Sequence, residues 1–192
     1  LQQNFPEIII SIDTYRSKVA EKCINTGANI INDISAGEMD KEMFATIDKL
    51  KVPYIIMHMK GTPKTMQDNP QYNNVVEEVF QYLEKKVNKL KQMGVENIIV
   101  DPGFGFGKNT EHNYQLLHHL DKFKKLDCPL LIGISRKSMI QNVLDTNAEN
   151  SLNGTTIAHT IALQKGINII RTHDVKQAIE CIKIVNFAEN NF

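Results

Sequence analysis

Ile98-Ile99-Val100-Asp101-Pro102-Gly103-Phe104-Gly105-Phe106-Gly107-Lys108 joins a strand signal to a ligand-site signal in one unbroken run. Three β-branched residues read as a buried strand, and a carboxylate stands at its exit. Glycine then recurs at every second position with phenylalanines between. Glycine opens backbone conformations closed to other residues and lets a ligand come close. A loop that only packs has no need of three glycines beside an acid and two rings, so the run reads as a site for a flat, polar-edged molecule. Two other glycine motifs fail here. A phosphate loop needs Gly and Ser/Thr where Pro102 and Asn109 stand, and a dinucleotide fingerprint needs Gly where Lys108 or Thr110 stands. The plain alternative is a flexible turn between strand and helix, and the flanking segments decide between them.

Outward from this run, short β-rich segments alternate with amphipathic ones. Ile8-Ile9-Ile10-Ser11-Ile12 precedes a helical pattern from about Arg16 to Thr26. Ile30-Ile31 begins the next strand, and Met39 to Leu50 reads as a helix. Tyr54-Ile55-Ile56-Met57 is followed by Val76, Val79, Phe80, Leu83, Val87 and Leu90 at helical spacing. After Ile98-Ile99-Val100 comes a helix containing Tyr114, Leu116 and Leu117. Leu130-Leu131-Ile132 leads to Ser151–Gln164, and Ile167–Ile170 leads to a last helix from Val175 to about Ala188. Six strand–helix units in strict alternation predict an α/β fold with a parallel sheet. A doubly wound sheet and a (β/α)8 TIM-type barrel both fit; for the barrel, six of the eight units are here.

Polar residues fall at the end of every strand: Asp13, Asn32-Asp33, Met57-His58-Met59, Asp101, Ser135-Arg136-Lys137 and Arg171-Thr172-His173-Asp174. In a barrel these ends form one rim, where active sites sit. A single shared pocket explains them better than six coincidences. The arginines are Arg16, Arg136 and Arg171, each just past a strand end, and arginine suits bidentate recognition of phosphate or carboxylate. Arg171 and His173 alternate and so point the same way, as a diphosphate site requires; a salt bridge from Arg171 to a carboxylate such as Asp174 is the alternative. Asp13, Asn32 and Asp101 could read the donors of an amidine-like ring edge, and Lys137 could donate to a carbonyl or ring nitrogen. Each also fits a capping or core role, and Asp33 is expected to be the structural member of its pair. His58 lacks companions at ligand spacing and reads as a satisfied histidine rather than a metal ligand. Ser135 has no base near it in sequence and no nucleophile elbow around it, so positioning and electrostatics are expected to carry any chemistry.

Composition agrees with a soluble globular chain: of 192 residues 42% are hydrophobic and 23% charged, with 22 basic against 22 acidic side chains. That balance gives no support to a nucleic-acid or membrane partner. Cys23, Cys128 and Cys181 are dispersed and odd in number, which suits the cytoplasm. No run approaches a membrane span of about 20 apolar residues, and nothing resembles a signal leader. Leu1 in place of Met, opening almost inside a strand, leads us to expect a partial chain: residues 1–192 as one domain, incomplete at its N-terminus.

The ordered set Ser11-Ile12-Asp13-Thr14, Asn32-Asp33-Ile34, Met57-His58-Met59 with Gly61-x-Pro63-x-x-Met66-Gln67, Asp101 to Lys108, Ser135-Arg136-Lys137-Ser138 and Arg171-x-His173-Asp174-Val175 resembles the dihydropteroate synthase family. The resemblance spans nearly the whole chain. It implies a barrel transferase of folate biosynthesis that joins 7,8-dihydropterin-6-ylmethyl diphosphate to para-aminobenzoate and releases diphosphate. Carried over by motif, Asp13, Asn32, Asp101 and Lys137 hold the pterin, with Met57 and Ile34 packed on it. Arg171 and His173 hold the diphosphate. Ser135, Lys137 and Phe106 border the aminobenzoate site, where sulfonamides compete, and Gly133 joins the substrate contacts. Asp13, Asp101 and Lys137 are the expected catalytic groups. Mg²⁺ is the implied cofactor, its protein ligand an asparagine in the family's first two strand–helix units, which this sequence lacks; no metal ligand is assigned in these residues. A homodimer is implied. The rival readings are a pterin-dependent methyltransferase domain, which needs no diphosphate site, and a pterin-binding fragment with impaired catalysis.

Overall fold

A computed structural model describes residues 1–62 and 70–190. Among these residues, six strands alternate with seven α-helices. The strands are β1 (Ser11–Asp13), β2 (Ile30–Asp33), β3 (Tyr54–Met57), β4 (Ile98–Asp101), β5 (Leu131–Ile132) and β6 (Ile169–Ile170). The helices are α1 (Ser17–Asn25), α2 (Met43–Leu50), α3 (Val75–Gln92), α4 (Thr110–His118), α5 (Ser138–Leu144), α6 (Leu152–Gln164) and α7 (Val175–Asn190). All strand pairs are parallel and follow chain order: β1 to β4 form one ladder and β5–β6 another. A single bridge, Val100 with Leu130, joins the two ladders. The result is an arc of barrel-type sheet that is not closed among the described residues.

Both faces of this arc are apolar, as parallel sheets require. One face carries the main core, where Ile31, Tyr54, Ile56, Ile98, Val100 and Ile132 meet the helices. On the other face Ile55, Ile99 and Leu131 form a smaller cluster, with Ile30 and Ile169 half-buried against it. Helix α3 shows why the elements form where they do. Asn74 caps it by accepting the Glu77 N–H at 3.0 Å. Its buried stripe is Val75, Val76, Val79, Phe80, Leu83, Val87 and Leu90.

Several boundaries differ from expectation, each for a local reason. The strand expected over Ile8–Ile12 begins only at Ser11; Ile8 and Ile9 are exposed, and pairing with β2 starts where Asn29 and Ile30 donate to the Ile10 carbonyl. Helix α2 starts at Met43 rather than Met39; Asp40 holds the turn before it, its carboxylate accepting the Glu42 N–H at 3.0 Å and also the Ser17 N–H at the start of α1 at 2.7 Å. Helix α5 and a 3-10 helix over Leu120–Leu126 were not anticipated; both are short, seven residues each.

Candidate active site

Strand parity places the site. Neighbours in register on parallel strands project to the same side. Asp13 pairs with Asn32, Asn32 with Ile55, Ile55 with Ile99 and Met57 with Asp101. One face therefore carries Asn32, Met57 and Asp101 two residues beyond Ile30, Ile55 and Ile99. Gly133 and Arg171 hold the same offset from Leu131 and Ile169. The inner apolar layer is thus followed, strand by strand, by a layer of polar and soft groups.

On the β1–β2 side, Asn32 Nδ2 donates to Asp13 Oδ1 at 2.6 Å. Asn32 is buried while Asp13 is exposed, and Ile34 is half-buried beside them. Asp33, by contrast, is wholly structural: its oxygens accept from Ser35 N–H, Ser35 Oγ, Gly37 N–H and Tyr54 OH at 2.7–2.8 Å. At the β4 exit, buried Asp101 accepts the Gly103 N–H at 2.7 Å and faces Arg171 Nη2 at 3.8 Å. Burial pushes its carboxyl up; the Gly103 N–H, Lys137, Arg171 and Lys108 oppose that rise.

Beyond Asp101 lies a cleft of about 510 Å³ lined by Phe106, Gly133, Ser135, Lys137, Arg171 and His173, among others. The Lys137 ammonium donates to the Phe104 carbonyl and lies 4.6 Å from the Phe106 ring centre. Burial brings its pKa down to about 8, with Asp101 opposing. The His173 backbone N–H donates to Ser135 Oγ at 3.3 Å, and Oγ meets His173 Nδ1 at 3.0 Å. An imidazole beside Ser135, which sequence proximity did not reveal, is present; it comes from the segment beyond β6, 38 residues away.

Asp174 does not quench Arg171. It takes a bidentate pair from Arg136, Nε at 2.8 Å and Nη2 at 2.9 Å. Arg136 also donates to the Ala148 and Glu149 carbonyls. Arg171, which also lines the cleft, forms its ion pair with Asp101 instead, Nη2 to Oδ2 at 3.8 Å, and keeps 42% of its side chain exposed. Arg16 stands apart over Tyr15.

His58 is buried and satisfied, as expected. Its ring packs edge-on to Tyr82, Nδ1 meets Lys108 Nζ at 2.9 Å, and burial, then Lys108, lower its pKa to about 2. Among the described residues no cluster of three His, Cys, Asp or Glu could hold a metal ion. Pro63, Met66 and Gln67 of the expected motif lie outside the described residues. Lys108, Phe104 and Asn113, which build the glycine loop from beneath, were missed as supporting residues. Only the position of Lys108 at the end of the glycine run hinted at it, and nothing in sequence announces a buried lysine.

A parallel α/β arc with acidic, amide and cationic groups converging beyond its strand ends defines a barrel-type α/β protein with its candidate site at the C-terminal rim. The chain belongs to the pterin binding enzyme family, whose model matches residues 1–173. It is 44% identical over 177 residues to the dihydropteroate synthase of Haemophilus influenzae, covering 91% of this chain and 64% of the relative. The dihydropteroate synthase of Yersinia pestis, solved with a sulfonamide drug, superposes with a TM-score of 0.95 at 34% identity, covering 100% of this chain and 70% of that one. The Xanthomonas albilineans enzyme in complex with 7,8-dihydropteroate gives a TM-score of 0.87 at 31% identity, covering 95% and 67%. The chain spans 64% of the length of the first curated relatives it matches.

Proposed function

We propose that this chain carries the pterin, diphosphate and aminobenzoate sites of a dihydropteroate synthase. The observation that carries the reading is Arg171: it stands 3.8 Å from buried Asp101 and beside His173, with Asp174 occupied by Arg136. An anion site thus adjoins a carboxylate suited to a pterin edge. Asp13, Asn32, Asp101 and Lys137 bind the pterin, with Met57 and Ile34 against its ring. Arg171 and the His173 ring bind the diphosphate. Phe106, Gly133, Ser135 and Lys137 border the aminobenzoate, and sulfonamides compete there.

In the reaction, the bond from the pterin methylene to the diphosphate oxygen breaks and the oxygen keeps the electron pair. Arg171 and His173 stabilise that leaving charge. Asp13 and Asp101 stabilise the positive character left on the pterin. The aminobenzoate nitrogen then bonds to the methylene carbon and loses a proton to solvent. No strong base is needed, so the Ser135–His173 pair serves to orient the imidazole. Mg²⁺, when bound, would neutralise part of the diphosphate charge.

A homodimer is supported by the apolar outer faces of α6 and α7, where Ile157, Ile161, Ile179 and Ile184 are exposed. Free cysteines support a cytoplasmic setting, and no described helix is long and apolar enough to cross a membrane. The test is formation of dihydropteroate by the intact protein from the two substrates, followed chromatographically. Pterin binding without product would sink the synthase reading. Arg171→Ala should weaken the pterin diphosphate about ten- to a hundredfold while leaving bare pterin affinity nearly unchanged; equal losses would contradict the assignment.

A further inference from the structure

Lys108 is one of the least exposed charged side chains in the molecule, at 2%. Its ammonium has three protons and three close acceptors: Gly103 O at 2.8 Å, His58 Nδ1 at 2.9 Å and Phe106 O at 3.0 Å. Neutral His58 can accept there, so every proton is matched. Two of these acceptors belong to the glycine–phenylalanine loop and the third to the exit of β3.

The packing around this contact leaves no slack. A Cβ on Gly103 would lie 1.9 Å from the His58 carbonyl oxygen, and one on Gly107 would lie 2.4 Å from the Lys60 carbonyl oxygen. With the Gly103 and Phe106 carbonyls turned inward to Lys108, the Gly103 N–H is left to meet Asp101 at 2.7 Å and the Phe106 ring lies 4.6 Å from the Lys137 ammonium.

We propose that Lys108 is a positioning residue: its buried ammonium clamps the glycine–phenylalanine loop onto the exit of β3 and so aims Asp101 and Phe106 into the cleft. The proposal rests on the reading of that cleft as the pterin and aminobenzoate site. Lys108 has a second effect through charge. Asp101 is faced by Lys137 from beyond β5, by Arg171 from beyond β6 and by Lys108 from its own loop, while the His58 backbone N–H donates to its carbonyl at 3.1 Å. Lys137 and Arg171 line the cleft and are drawn on by ligands, whereas Lys108 is sealed beneath it. When protonated, it is a counter-charge that does not depend on what occupies the cleft. Burial lowers its pKa to about 7 and Asp101 opposes the shift; the three matched acceptors likewise favour the ammonium.

The test uses the intact protein and two variants, Lys108→Met, which keeps the stem and removes the charge, and Lys108→Arg, which keeps the charge with a flat fork unsuited to three convergent acceptors. Dihydropterin binding is measured against pH, and amide exchange is followed at Gly103 and Phe106. Neither readout needs turnover, so failure of the synthase reading, seen as binding without product in the wild type, stays distinguishable. Lys108→Met should move the acid edge of binding to higher pH, because Asp101 loses a cation that lowers its pKa, and should speed loop exchange at least about tenfold. Lys108→Arg should keep the wild-type acid edge and still speed loop exchange. In active enzyme, both should raise the aminobenzoate KM more than they lower kcat. A folded Lys108→Met variant with unmoved edge and unchanged exchange overturns the proposal. Should that variant not fold, Lys108→Arg decides alone: wild-type exchange at both amides overturns the clamp.

Discussion

Asp33 and Asp101 are both buried carboxylates at strand ends, yet only Asp101 has capacity left for a ligand. Asp33 is saturated by four donors from Ser35, Gly37 and Tyr54, and its position is fully enclosed. Asp33→Ala should therefore lower stability by about 3 kcal/mol or more, because it strands several buried donors at once; urea denaturation measures this. Asp13→Ala, at an exposed position, should leave the urea midpoint nearly unchanged and weaken pterin binding instead. The pH dependence follows from Asp101 on the acid side and two buried lysines on the alkaline side. Binding needs Asp101 ionised and both Lys137 and Lys108 protonated. Burial raises Asp101, so the acid edge should lie above the ordinary aspartate range; burial lowers Lys137 to about 8 and Lys108 to about 7, so binding should fall away in two steps near those values. Lys137→Arg should remove the upper step, since guanidinium does not titrate there. A persisting upper step would remove Lys137 from the assignment. Asp33's structural role and His58's satisfied state were legible in sequence; Ser135's partner was not, because a hydrogen bond spanning 38 residues leaves no local trace.

Element by element, the glycine loop after β4 is the part whose sequence carried the most information. Its alternating glycines are required by contact as well as by backbone angle: Gly103 and Gly107 have φ of 72° and 66° and both press on carbonyl oxygens. Gly103→Ala should cost more than about 1 kcal/mol on backbone grounds alone. Gly133 is a different case. Its φ is not in the left-handed region, but a Cβ would stand 2.7 Å from Arg171 Nη2. Gly133→Ala should spare thermal stability and weaken diphosphate binding by displacing the guanidinium, a split that calorimetry beside a melting curve would reveal. Strand ends and the long amphipathic helices were readable because hydrophobic periodicity reports burial directly. The start of α2 and the existence of α5 were not, since Asp40 ties the turn before α2 to the start of α1 through a contact across 23 residues, and a seven-residue helix carries too short a pattern.

At the scale of the molecule, the arc has two apolar faces, with helices on one and the small Ile55–Ile99–Leu131 cluster on the other. Outside the helical layer, α6 and α7 expose a further apolar surface, and the proposed dimer uses it. Ile157→Lys with Ile161→Glu should yield monomers in sedimentation without unfolding the chain, because both side chains already face solvent in the single chain; an unaltered dimer would exclude this face. The amino-acid order by itself determined the alternation of elements, the parallel α/β class and the row of functional groups past each strand, because periodicity and strand length are local properties. Which groups are free to act was decided only by the tertiary structure. Arg136 and Arg171 are chemically identical, but Asp174 lies within reach of one and buried Asp101 faces the other. Lys108 and its eighteen fellow lysines look alike in sequence, and only the folding of the glycine loop over β3 buries one of them among three acceptors. Long-range contacts of this kind depend on strand register and loop closure, which no short stretch of sequence encodes.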